Sequence, residues 1–182
     1  MNKFLETIWE LVKIAAVALI IVIPIREFVF QPFIVRGASM EPNYHDFDYL
    51  IIDELTYRFE SPVRGDVIVF NSPMTPSQRF IKRVIGLPSE TIKIQKGEIL
   101  ITTADNKNID LNEPYLPGGL FTSDSNQVTL KSDEYFVLGD NRPYSYDSRY
   151  FGPIKRNTII GKVALKFGLG ATFAKNLFHP AQ

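Results

Sequence analysis

From residue 36 onward the apolar residues come in short runs, each closed by Gly, Pro, Asn or Asp, and this punctuation restricts the fold more than any other feature. Tyr49–Ile52, Asp66–Phe70, Arg79–Ile85, Thr91–Gln95, Glu98–Thr102, Tyr135–Leu138 and Ile159–Phe167 read as strands. Asp66–Phe70 is apolar on both faces after its first residue, as an interior strand is, and Asn71-Ser72-Pro73 ends it with turn residues. Lys96-Gly97 reads as a tight hairpin connection. In the last run Val163, Leu165 and Phe167 share one face, with Lys162, Ala164 and Lys166 on the other. Residues 103–132 are polar and turn-rich, and they read as lying outside a catalytic core. The sequence predicts a mostly β domain over 26–182, its sheet antiparallel, with an inserted or elaborated region at about 86–136. The tail Ala171–Phe178 suits a short amphipathic helix.

Ahead of this domain stands the uncharged run Ile14–Ile25. Alone it is short of the roughly 20 helical residues a bilayer span needs. A helix from Phe4 to Ile23 would supply the missing turns, reaching roughly 30 Å. Trp9 would then lie near an interface, Lys13 would extend toward headgroups, and Pro24 would end the helix. The expectation is that residues 1–25 form an N-terminal transmembrane helix. A cleavable leader is disfavoured because bulky REFVFQPFIVRG follows, without a small-residue cleavage site. A buried core helix is disfavoured by the uniformly apolar texture. Lys3 and Lys13 on one side balance Arg26 and Arg36 on the other, so charge bias leaves orientation open. Phe28–Val35 suits a first strand, a lip against lipid, or both.

Charge and composition exclude several functions. Twenty Lys plus Arg against twenty Asp plus Glu leave no net charge, and no basic stretch interleaved with aromatics suggests nucleic-acid binding. With two His and no Cys, a Cys-based zinc site, a redox dithiol and a disulfide are ruled out.

Three places carry candidate chemistry. Ser39 lies between flexible Gly37 and rigid Pro42; alone it is an ordinary turn residue. Lys82 sits in a strand-like run where alternation puts it on a face with Phe80 and Val84, opposite Arg79, Ile81, Arg83 and Ile85. The pattern leaves open which face is buried. A buried amine would lose its charge easily and could take the proton of a serine hydroxyl. Finally, Gly139–Gly152 crowds Asp140, Asn141, Arg142, Tyr144, Ser145, Tyr146, Asp147 and Arg149 between glycines. Ser145 and Asp147 share a face if that segment is extended, and Ser145 could orient the Lys82 amine.

Together these blocks resemble the bacterial-type type I signal peptidases, membrane-bound serine–lysine proteases. Ser39-Met40-Glu41-Pro42 is similar to the nucleophile box, and Gly65–Phe70 to its core strand. Phe80–Pro88 resembles the general-base box. Gly139-Asp140-Asn141-Arg142, Ser145, Asp147-Ser148-Arg149 and Gly152 resemble the last and most distinctive box. The resemblance covers nearly the whole chain, including Asn112-Glu113-Pro114-Tyr115. It implies a signal peptidase I-type serine endopeptidase with Ser39 as nucleophile, Lys82 as general base, and Ser145 hydrogen-bonded to the lysine. It also implies an oxyanion hole that uses the Ser39 amide, and supporting ion pairs Asp147–Arg149 and Asp140–Arg83. Some relatives carry a hydroxyl where this chain has Gly37. Asn43 replaces a common Thr, and Pro88-Ser89-Glu90 a common Pro-Gly-Asp.

The implied substrates are signal peptides of exported preproteins with small residues, usually Ala, at the first and third positions before the cut. The implied partners are those preproteins, a lipid bilayer and the secretion translocon, with no cofactor or metal. The implied location is a single-pass cell-membrane protein with its catalytic domain on the extracytoplasmic side, a photosynthetic internal membrane being the other setting. Competing readings are a self-cleaving repressor-type serine–lysine protein and an inactive membrane-tethered β binding module. The first should be soluble with a DNA-binding or cytoplasmic partner region, and the second has no use for Ser39 and Lys82 together.

Overall fold

A computed structural model describes residues 3–28, 30–109, 111–118 and 120–168. The expected helix at Ala171–Phe178 lies outside the described residues. In chain order the elements are α1 (Lys3–Phe28), β1 (Phe30–Ile34), β2 (Tyr49–Asp53), α2 (Thr56–Phe59), β3 (Val67–Asn71) and β4 (Arg79–Gly86). Then come β5 (Thr91–Gln95), β6 (Glu98–Thr102), β7 (Asn108–Ile109), β8 (Ser125–Thr129), β9 (Glu134–Leu138), α3 (Ser148–Phe151), β10 (Ile154–Lys155) and β11 (Ile159–Phe167). The strands form a seven-stranded sheet, ordered β1-β2-β11-β3-β4-β9-β10, and a four-stranded sheet, ordered β7-β6-β5-β8. Their pairings are antiparallel.

Three apolar clusters hold the sheets. One joins Ile68, Phe70, Val84, Val137 and Ile159; a second joins Val35, Met40, Leu50, Ile52, Val69 and Ile81. The third sets Ile85, Phe136 and Leu138 of the large sheet against Ile92, Ile94 and Ile101 of the small one. Burial of these aliphatic and aromatic groups, each contributing about 1.5–3 kcal/mol, is the main force joining the layers. Residues of β4 enter all three clusters, so both of its faces are covered. That coverage is why alternation could not show which side of the strand is buried.

The hairpin expected at Lys96-Gly97 is present. Gln95 faces Glu98, leaving a two-residue turn in which Lys96 has φ 55° and Gly97 φ 85°. Two successive positive φ values match the twist of the flanking strands, and glycine adopts one without strain. The polar region holds strands that the sequence reading passed over, β7 and β8, because neither shows a clear apolar alternation. In β11 a bulge between Val163 and Leu165 interrupts the alternation, and Leu165 and Phe167 end exposed.

The N-terminal expectation requires correction. A helix does form over Lys3–Phe28, but among the described residues no helix is long and apolar enough to cross a membrane. The physical reason is charge spacing. Glu6, Glu10 and Lys13 precede the apolar run and Arg26 and Glu27 follow it, so the uncharged stretch is confined to Ile14–Ile25. The single-pass transmembrane helix, and the cell-membrane topology inferred from it, lose their basis.

Candidate active site

Ser39 lies in the turn that links β1 to β2, and Lys82 lies on β4. The two meet although they are 43 residues apart in sequence, with Lys82 Nζ 2.6 Å from Ser39 Oγ. The amine also donates to the carbonyl of Ile81 at 3.0 Å. Lys82 is only 4% exposed. Loss of hydration penalises the ammonium and lowers its pKa from 10.5 to about 8, against the opposing pull of the Asp147 and Asp140 carboxylates. A substantial share of the amine is therefore neutral near pH 8, and a neutral amine beside a hydroxyl is a proton acceptor.

The pair opens onto a cleft of about 570 Å³, lined among others by Phe33, Arg36, Ser77, Arg79, Tyr144 and Tyr146. One wall is an unfinished strand edge. β4 pairs with β3 from Arg79 to Arg83, but with β9 only from Arg83 onward. Among the described residues, Arg79–Lys82 therefore has no strand partner on its β9 side. The Val84 amide and carbonyl bond to Asp66 and Gly65, the side of β3. Antiparallel alternation then turns the backbone of Lys82 and Phe80 toward β3, and that of Arg79 and Ile81 toward the cleft.

Gly139–Gly152 supports the pair from behind. Asp140, fully buried, takes Arg83 Nε at 2.8 Å and Arg83 Nη2 at 2.6 Å. Asp147, also fully buried, accepts from Arg149 Nε at 2.8 Å and from the Gly139 amide at 3.0 Å. Both ion pairs expected from the sequence are thus made. Asn141 has a contact that sequence reasoning missed. Its amide donates to the Ser39 carbonyl at 3.1 Å and its Nδ2 to the Ala38 carbonyl at 2.9 Å. The second bond holds the peptide plane whose other end is the Ser39 N–H, and so fixes where that N–H points.

One expectation changes. Ser145 is buried as a site residue should be, yet its Oγ has no hydrogen-bond partner, so the expected bond to Lys82 is not made. Ser145 lies instead against Gly139, where a Cβ would stand 2.1 Å from Ser145 Oγ and 2.4 Å from the Ser39 carbonyl oxygen. Gly37 offers its amide to Asp46 Oδ1 at 2.9 Å, so that amide is already engaged. The Ser89 departure has a backbone consequence, since Ser89 holds φ 66° at a place where glycine would be unstrained.

A model of the family "Signal peptidase, peptidase S26" matches residues 8–168. The chain belongs to that family. It is 35% identical over 168 residues to a probable signal peptidase I-2 of a Synechocystis species, covering 89% of this chain and 74% of that one. It is 38% identical over 164 residues to signal peptidase I of Bacillus caldolyticus, covering 83% and 86% respectively. Signal peptidase I V of Bacillus subtilis is 33% identical over 161 residues, covering 81% of this chain and 92% of its own. A crystal structure of a signal peptidase I from Enterococcus faecalis aligns with a TM-score of 0.47 and 35% identity, over 57% of this chain and 97% of its own. Membership makes the chain a serine endopeptidase of the serine–lysine type, acting on signal peptides of exported preproteins.

Proposed function

We propose that Ser39 is the nucleophile and Lys82 the general base of this endopeptidase. The observation that carries the reading is the 2.6 Å approach of a buried amine to Ser39 Oγ at the floor of the cleft. A substrate segment enters extended and pairs with the open edge of β4 at Arg79 and Ile81, since a bare strand edge captures unfolded chain through backbone hydrogen bonds. Ser39 Oγ adds to the scissile carbonyl as its proton passes to Lys82 Nζ. The Ser39 N–H, held in direction by Asn141, faces the developing oxyanion. Lys82 returns the proton to the leaving amine, and water then releases the acyl group by the same steps in reverse order.

Ser145 is the third site residue of this reading. Its buried hydroxyl is unpaired and lies behind Gly139, a place from which it supports the dyad without reacting. The chain divides functionally into residues 1–25 and a peptidase domain over 26–182, elaborated at about 86–136. Substrates carry small residues at the first and third positions before the cut, and the apolar segment of a signal peptide brings a lipid bilayer and the secretion translocon close to the reaction.

The test replaces Ser39 with Ala and, separately, Lys82 with Ala, and follows removal of a signal peptide from a preprotein in detergent. Both substitutions abolish processing on this reading, and Ser145→Ala weakens it. Normal processing by either of the first two variants refutes the assignment.

A further inference from the structure

Asn43 stands four residues after Ser39 in the same turn, and its side chain does two things at once. Nδ2 donates to Asp140 Oδ2 at 2.8 Å and to the carbonyl of Tyr115 at 2.8 Å. An amide nitrogen carries two hydrogens, and both are used here. Each acceptor leads somewhere. Asp140 is the fully buried partner of Arg83, the residue that follows Lys82 on β4. Tyr115 lies with its ring 3.8 Å beneath the Arg83 guanidinium, and its hydroxyl donates to Glu113 at 2.5 Å. Glu113 pairs with Arg142, a residue 1% exposed that adjoins Asn141 in the loop behind Ser39. The Asn43 carbonyl in turn accepts from Lys166 Nζ at 2.7 Å, which ties the turn to β11.

From this geometry we infer that Asn43 is a positioning residue for catalysis, fixing the nucleophile turn against the Asp140–Arg83 pair and, through Tyr115, against segment 112–115 of the polar region. The inference rests on the assignment of Ser39 and Lys82 as the reacting pair. Asn43 touches neither reacting atom. It acts by holding the turn that carries Ser39 to the ion pair beside Lys82, at a reacting distance where small displacements matter. A threonine hydroxyl has one hydrogen to give, so at this position it would serve one acceptor and release the other. The double bridge is thus particular to asparagine, and it gives the segment from Glu113 to Tyr115 a role in the reaction that its distance along the chain conceals.

The experiment measures kcat and KM for peptide cleavage by Asn43→Ala, Asn43→Thr and Asn43→Asp, with Ser39→Ala alongside and thermal unfolding of each. Asn43→Ala lowers kcat about tenfold, the scale of losing a partly buried charge-assisted bond, while KM stays within about twofold. Asn43→Thr falls between Ala and the parent. Asn43→Asp sets a second carboxylate against Asp140, whose charge favours the Lys82 ammonium, so the acid limb of kcat/KM moves to higher pH. A purely structural role lowers the melting temperature and leaves kcat of the folded Asn43→Ala variant unchanged. An unchanged kcat in Asn43→Ala, or an unmoved limb in folded Asn43→Asp, overturns the inference while a silent Ser39→Ala leaves the dyad intact. If Asn43→Asp does not fold, kcat of Asn43→Ala decides alone. Activity retained by Ser39→Ala overturns the dyad assignment and this inference with it.

Discussion

Arg83 Nη2 stands 2.6 Å from Asp140 Oδ2, one residue along β4 from Lys82 and at the end of the hydrogen bonds from Asn43. Both side chains are out of water, 10% and 0% exposed. A pair buried this deeply contributes little when intact, but breaking it strands a charge. Asp140→Asn leaves Arg83 without its counter-charge and should cost about 3 kcal/mol or more, read by chemical denaturation. It also removes a carboxylate that favours the Lys82 ammonium, so the acid limb of kcat/KM should move to lower pH.

Gly139 occupies a gap with no room for a methyl group, because a Cβ would stand 2.1 Å from Ser145 Oγ and 2.4 Å from the Ser39 carbonyl. Gly139→Ala must push Ser39 away from Lys82 or move Ser145. A displacement on the order of 1 Å at a reacting atom costs about a hundredfold in rate. The expected result is that loss in kcat, with about 1–3 kcal/mol of stability lost to overpacking.

Ser89 holds φ 66°, a left-handed conformation that costs a side-chain-bearing residue roughly 1–2 kcal/mol. Glycine removes that cost but widens the unfolded ensemble, returning about 0.4–1 kcal/mol. Ser89→Gly should therefore be neutral to about 1.6 kcal/mol more stable, measured by denaturant titration, with activity unchanged. Next to it, Glu90 keeps its bonds to Arg64 at 2.6 Å and to the Leu87 amide at 2.7 Å.

Much of the site was visible in the sequence, for physical reasons that differ by residue. Ser39 and Lys82, the proposed nucleophile and base, are marked out in the sequence by the boxes around them. The ion pairs Asp147–Arg149 and Asp140–Arg83 followed from the same boxes. Asn43 and Asn141 did not, because their work is done across 97 and 103 residues of chain, and nothing local marks a side-chain amide as a bridge. Burial of Lys82 was hidden for another reason. Alternation identifies a buried face only when the other is wet, and β4 is covered on both. The antiparallel β architecture was legible from run length and turn residues. The membrane helix was misread because the turns added to lengthen the apolar run bring Glu6, Glu10 and Lys13 with them.

Burial of Lys82 also has a price in stability that runs opposite to its proposed use in catalysis. Its pKa is lower in the folded chain, about 8 against an ordinary 10.5, so between those values the unfolded chain holds the extra proton. Stability should rise with pH through that window, and the full penalty is present below it. Lys82→Met removes the penalty and should stabilise the fold at neutral pH, by on the order of 2–3 kcal/mol, while eliminating cleavage. Denaturation of parent and variant at pH 7 checks both the sign and the size.

In the proposed mechanism a neutral Lys82 amine activates Ser39. The pH dependence of kcat/KM for peptide cleavage tests it most directly, because that profile reports ionisation in the free enzyme. The predicted result is a rising limb with its midpoint near the lowered lysine pKa of about 8. A midpoint close to the ordinary lysine value of 10.5, or a profile flat through this range, would contradict it.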